Sequence, residues 1–277
     1  MRLFFWGLLF LFSASFNSLL AQDFGTYLGD ETYFYAQTKQ INQFFRRFNC
    51  EEDENGERLY EGDKDFRNRE FRRIYIEMLF DHESQLLGQE LKSEFIEDVT
   101  SANHQKFLDF YGDSWFAEVT ARFSFEGKTE TAVLFLSLQP ENQGYKWVMT
   151  NVYFPPFANM FFADSTFLKK FIHPMSHELD FMNLMKVFKE NENVEYFFEK
   201  DFRPDYKSIF LYELKKGNLV FSTVTNVRFH FFQVENWYFE LSEFNRSNNN
   251  SGWLISALTK VPENQKEMFL KYITYEK

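Results

Sequence analysis

A chain of 277 residues with 39 Phe, 14 Tyr and 5 Trp can bury a large core unaided, and its lone cysteine, Cys50, excludes an intramolecular disulfide. Lys and Arg number 30 against 41 Asp and Glu, and the resulting charge of −11 disfavours phosphate backbones and anionic lipid surfaces, so no nucleic-acid partner is expected.

The first residues read as a secretory signal. Arg2 is followed by the apolar run Leu3 to Phe12, then by the small and polar residues Ser13, Ala14, Ser15, Asn17 and Ser18 leading to Ala21-Gln22. An uncleaved span would need about 20 predominantly apolar residues, so cleavage near Ala21/Gln22 is expected, leaving a periplasmic or secreted chain with no stable membrane insertion. The mature net charge would be −12, because only Arg2 among charged residues is lost.

Beyond the signal, Phe34, Thr38, Ile41, Phe45 and Phe48 recur at helical spacing, which predicts a helix over Thr32 to Phe48. The acidic run from Glu51 to Glu57 reads as a solvated loop. Phe66 to Phe80 is expected to be helical, with Phe71, Ile74, Tyr75 and Met78 inward and four arginines on the other side. Gln89 to Val99 is a third helix, continuing through His104 to Phe110. The period then falls to two. Val119, Ala121, Phe123 and Phe125 alternate with Glu118, Thr120, Arg122 and Ser124, predicting a strand with one buried face. Strands over Thr131 to Leu138 and Tyr145 to Phe154 complete a meander across the turn Glu126-Gly127-Lys128 and the turn Pro140 to Gly144.

Phe154-Pro155-Pro156 marks a boundary, giving a signal peptide at 1–21 and two units at 22–156 and 157–277. In the second unit Ser176 is expected to cap a helix over His177 to Glu190. Strands are predicted over Ser208 to Leu214, Leu219 to Val234, Trp237 to Phe244 and Trp253 to Val261, then a short helix from Pro262 to Tyr272. The two units share a signature. Ala121-Arg122-Phe123-Ser124-Phe125 is echoed by Val227-Arg228-Phe229-His230-Phe231, and Trp147 and Trp253 each lie 24 residues past the central Phe. One shift of 106 superposes both features, which reads as an internal repeat.

Helices followed by a long, curled antiparallel meander with a late Trp, seen in the hairpin exits Gly144-Tyr145-Lys146-Trp147 and Ser251-Gly252-Trp253, resemble the NTF2-like superfamily. The resemblance implies an α+β fold of two units, each with helices packed into a cone of sheet. The chain is also similar to exported proteins of the Bacteroidetes type, in which the helix end Phe44-Phe45-Arg46-Arg47-Phe48-Asn49 recurs. NTF2-like folds host isomerases, dehydratases, ligand binders and assembly modules, so the fold does not choose among them.

Three clusters invite chemistry. His173-Pro174-Met175-Ser176-His177-Glu178 has metal-ligand residue types, but Pro174 and the capping Ser176 take the two histidines off a common helix face. Glu51, Asp53, Asn55 and Gly56 match the opening of a calcium loop, yet position twelve is Gly62 in place of the bidentate Glu. No metal site and no cofactor is therefore expected. Arg122 and Arg228 occur in both copies and, with His230, are the candidate ligand-binding residues, because an inward Arg can clamp an acidic ligand. A structural ion pair accounts for the repeated Arg equally well. Asp109, Asp113, His230, Tyr238 and Glu240 offer acid–base groups, but no spacing makes one of them a catalytic set, and no nucleophile elbow, P-loop or dinucleotide fingerprint occurs. Cys50, next to three acids, should be inert.

These readings converge on an exported, non-enzymatic binding or assembly module of the bacterial envelope with a protein or small-molecule partner. The alternative is a periplasmic small-ligand binder or an isomerase- or hydrolase-like enzyme using a cone pocket. An interior filled by Phe would favour the first, and a deep pocket with convergent polar groups the second.

Overall fold

The computed structural model describes residues 41–53, 55–160, 184–189, 194–199, 202–247 and 250–276. The signal, the helix start before 41 and the His173 cluster lie outside these residues. The fold is α+β. Three helices come first: α1 (Ile41–Asn49), α2 (Arg69–Met78) and α3 (Gln89–Val99). Strands β1 (Trp115–Phe125), β2 (Lys128–Glu141) and β3 (Gly144–Tyr153) follow, then α4 (Pro155–Met160), α5 (Leu184–Lys189) and α6 (Tyr206–Lys216). The chain closes with β4 (Leu219–Phe231), β5 (Trp237–Phe244), β6 (Gly252–Lys260) and α7 (Glu263–Ile273).

Among the described residues six strands form one curled sheet in the order β3-β2-β1-β4-β5-β6, antiparallel throughout. Strands from either side of the expected division at 156 thus become neighbours, through β1 and β4. In that pairing Thr120 faces Asn226, and these two positions are 106 apart, the same shift that superposes the sequence copies. The β2–β3 and β5–β6 pairings each carry one register shift, at Phe135/Leu136 and at Glu240/Leu241. The first hairpins differ. β2 covers β1 from Ala117 to Phe125, whereas β5 covers β4 only from Arg228 to Phe231. The β1–β2 turn is set by Glu126 and Gly127, both at positive φ (51° and 76°), the primed geometry that matches strand twist.

Alternation gives the sheet two faces. The inner face carries Trp115, Ala117, Phe229, Phe231, Phe239, Leu241 and Ile255, and α1 to α3 lay Phe44, Phe45, Phe48, Ile76, Phe95 and Val99 on it. Rings fill this space edge to face and stacked: Phe231 lies 4.7 Å from Phe239, and Phe95 5.2 Å from Trp237. Further along the same face Phe123, Phe125 and Phe154 meet Phe157 of α4 and Phe210 of α6. On the outer face Phe116, Phe135, Phe232 and Tyr238 are covered by Phe269 and Ile273 of α7. Among the described residues no helix is long and apolar enough to cross a membrane.

Three expectations are corrected. Ser208 to Leu214 is part of helix α6, not a strand. Asp205 accepts from Lys207 N at 3.1 Å and from Ser208 Oγ at 2.7 Å, and Gly217 closes the helix at φ 77°, so caps decide what a short apolar run leaves ambiguous. Residues 100–110 do not extend α3: Thr100 caps it with non-helical dihedrals (φ −108°, ψ 13°), its amide and hydroxyl both donating to Ile96 O. α2 presents the opposite face from the one expected. It buries Arg72 and Ile76 while Phe71, Ile74 and Met78 are exposed. Arg72 is responsible: its guanidinium donates to Phe48 O and Val99 O, both at 2.9 Å, and to Lys106 O, and it lies over the Phe107 ring. One cation thereby satisfies the carbonyl ends of α1 and α3.

Candidate functional site

Among the described residues, a group of buried and half-buried ionisable side chains lies on the outer face, where β1, β4 and β5 meet. Cross-strand register builds it. Glu118 faces Arg228, Phe116 faces His230, and His230 faces Glu240 on its other side. Because residues two apart share a face, the polar groups converge on a patch that α7 and the chain's last turn adjoin.

His230 is 2 % exposed and sits at the centre. Its Nδ1 lies 2.8 Å from the Tyr238 hydroxyl and its Nε2 3.1 Å from Glu118 Oε2. The imidazole is stacked on Phe116, with centroids 4.8 Å apart. Each ring nitrogen thus has a polar partner within hydrogen-bonding distance. Glu118 Oε1 also lies 3.3 Å from Arg228 Nη2, and Arg228 Nη1 is 3.6 Å from Glu240 Oε2. Burial alone would raise the Glu118 carboxyl, but the hydrogen bond and charge of His230 together with the charge of Arg228 outweigh it and hold it below the usual carboxylate range. Burial, reinforced by Glu240 and Glu118, pushes the Tyr238 hydroxyl far upward, so it stays protonated as a donor.

Two of the three expected site residues, Arg228 and His230, are brought together here. Arg122 is not. It lies exposed on the same face, opposite Thr131 and Thr223 and four residues from Glu118, or about 13 Å along the strand. Glu118 is the member that sequence reasoning passed over as an exposed alternating residue, although its position on the face of Arg122 was the available signal. Tyr238 and Glu240, considered only as loose acid–base groups, belong to the cluster.

Most polar groups of the arrangement are paired with one another. Glu118, His230 and Tyr238 are consumed by one another, and Phe116 blocks one ring face of the imidazole. One atom stands apart. Arg228 Nε is buried and makes no hydrogen bond among the described residues, although the side chain as a whole is 39 % exposed. The chain's last turn lies nearby, with Tyr275 stacked on Tyr153 at 4.1 Å and Asn151 Nδ2 donating to Thr274 O at 2.8 Å.

Elsewhere the acidic loop is better anchored than its composition implies. Glu52 is fully buried and paired with Arg46 at 2.9 Å and Arg47 at 3.1 Å, and no group of three metal-ligand side chains assembles among the described residues. Cys50 is buried, and burial, seconded by Asp65, raises its thiol pKa. No family model matches the chain, and no curated protein or solved structure is significantly similar to it.

Proposed function

We propose that the chain is an exported, non-enzymatic binding or assembly module of the bacterial envelope, built from two NTF2-like units joined edge to edge. The observation that carries this reading is the filled inner face. Where a ligand-binding cone would hold a cavity, Phe44, Phe45, Phe48, Phe95, Phe231 and Phe239 occupy the space between helices and sheet. The buried polar cluster supports the same conclusion, since Glu118, His230 and Tyr238 pair with one another. One observation supports the tandem reading: the register places Thr120 opposite Asn226, 106 residues on. Large exposed apolar side chains such as Ile74, Met78 and Tyr272 suit a protein whose surface meets others.

Site-directed photocrosslinking in the native envelope tests the proposal. Discrete crosslinked polypeptides from surface positions support it. Absence of any polypeptide adduct from positions spread over all faces would overturn it.

A second reading rests on Arg228. A buried donor without an acceptor, on a guanidinium that is partly exposed, suits a small carboxylate ligand bound beside Glu240. Saturable binding of small carboxylates, lost in Arg228→Met, would favour that reading.

A further inference from the structure

Two clefts on the outer face adjoin. The first, of about 420 Å³, lies between the start of β1, β2 and α7, and its lining includes Phe116, Phe232 and Leu270 with Ser114, Ser137 and Glu267, whose carboxylate pairs with Lys271. The second, of about 430 Å³, includes Asp109, Asp113 and Glu235 in its wall. Ser114, Phe232, Glu263 and Lys266 belong to both, so the two clefts adjoin across these residues and make a two-part groove, one part mainly apolar and the other mainly acidic.

The charges of the groove are unequal in availability. Lys266, largely buried, places its ammonium 2.8 Å from both Phe232 O and Val234 O and 2.7 Å from Glu263, so its three donors are spent on the fold. Glu263 is spent as well, on Lys266 and on the Asn236 amide at 2.6 Å. Glu235 is shared with Lys106 at 3.3 Å, and Asp109 accepts from the Tyr111 amide at 2.9 Å. The exposed Asp113 carboxylate makes no hydrogen bond or ion pair among the described residues. The acidic end therefore keeps unspent negative charge next to an apolar hollow, on a chain of net charge −11.

We propose that this groove docks an extended segment of a partner protein that presents one bulky apolar side chain and, nearby along the segment, one lysine or arginine. The apolar group enters the hollow against Phe116, Phe232 and Leu270, and the cation meets Asp113 and Glu235. The proposal rests on the reading of the chain as a binding module and assigns the docking place. It also links the groove to the buried cluster, because the Phe116 ring that floors the hollow is stacked on His230.

The test is fluorescence anisotropy with the purified full chain and three labelled hexapeptides: Gly-Phe-Thr-Lys-Thr-Gly, the same peptide with Glu for Lys, and the same with Ala for Phe. Only the first should bind, more weakly as salt rises. Asp113→Asn should weaken it by about fivefold and flatten the salt dependence, the loss of about 1 kcal/mol that a partly exposed charge pair supplies. Ser137→Trp, which fills the apolar hollow, should abolish binding, and an unchanged circular dichroism spectrum would show that the variant is folded. Equal binding of the Glu peptide, no binding of the Lys peptide up to millimolar concentration, or unaltered binding by both variants would overturn the groove assignment. Such a failure leaves crosslinked partners at other surfaces untouched, so it is distinguishable from failure of the module reading itself.

Discussion

Trp147 on β3 and Trp253 on β6 stand on opposite edge strands of the sheet, yet both rings pack on Phe229, at 6.3 and 4.7 Å. A flat six-stranded sheet would hold its outer strands about 24 Å apart, so this shared contact measures how far the sheet curls around its inner face. Phe229 is the pivot, and it is the Phe of the second Arg-Phe copy from which the Trp spacing is counted.

Phe229→Ala should therefore cost more than a peripheral core truncation. It removes the ring on which both edges close, and a loss of about 3–5 kcal/mol is expected from chemical denaturation. Tryptophan emission should shift to longer wavelength in the native state, since Trp253 loses the ring 4.7 Å away and Trp147 keeps only Trp115. A loss below about 1 kcal/mol with unchanged emission would show that the curl is held elsewhere.

Arg72→Met is expected to destabilise by about 3 kcal/mol or more, because three buried carbonyls lose one shared donor. Arg72→Lys should recover little of this, since a single ammonium lacks the planar fork that spans Phe48 O, Val99 O and Lys106 O. Equal stability of the Lys variant and the wild type would show that charge alone, and not geometry, holds α1 to α3 together.

The Glu118 carboxyl makes stability depend on pH. Its folded pKa is below the ordinary glutamate value of 4.5, so the ionised group stabilises the fold fully above that value, and this share is lost as pH falls through the lower folded value. Glu118→Gln should lower stability at pH 7 by about 2–3 kcal/mol, less than for a fully buried pair because Arg228 is partly exposed. Its stability should then fall less steeply than the wild type's below pH 4.5. Parallel acid limbs for both proteins would remove Glu118 from the account.

At the end of α6, Gly217→Ala should cost about 1–2 kcal/mol, because φ 77° places the residue in the left-handed region. A cost near zero would mean that the α6–β4 turn relaxes.

What the sequence made legible follows from how locally each signal is set. Alternation located β1 within the first meander, and the bounds of Gln89–Val99 and Trp237–Phe244 agree with the observed elements. The Glu126-Gly127 turn was legible because its backbone demand falls on two residues. α6 was misread because Ser208 to Leu214 is short, apolar and rich in β-formers, while its helical character comes from Asp205 and Gly217 at its flanks. The face of α2 was misread because hydrophobicity ranks Arg72 as exposed, and only the chain ends of α1 and α3, brought close in the fold, make burial of a guanidinium favourable. The cluster was half legible. Arg228 stood out because Arg122 and Arg228 occupy matching places in two similar sequence motifs, and His230 by its nearness to Arg228, but Glu118 becomes a partner only through the pairing of β1 with β4, a contact between residues 110 positions apart.

The central claim is that the interior is filled by the chain's own side chains and that its business is with other polypeptides. Native mass spectrometry of the protein purified from its own host tests this most directly. The account predicts a polypeptide beginning at Gln22, alone or with stoichiometric protein partners, and no small molecule released on denaturation. A stoichiometric small-molecule adduct that is lost in Arg228→Met would contradict it.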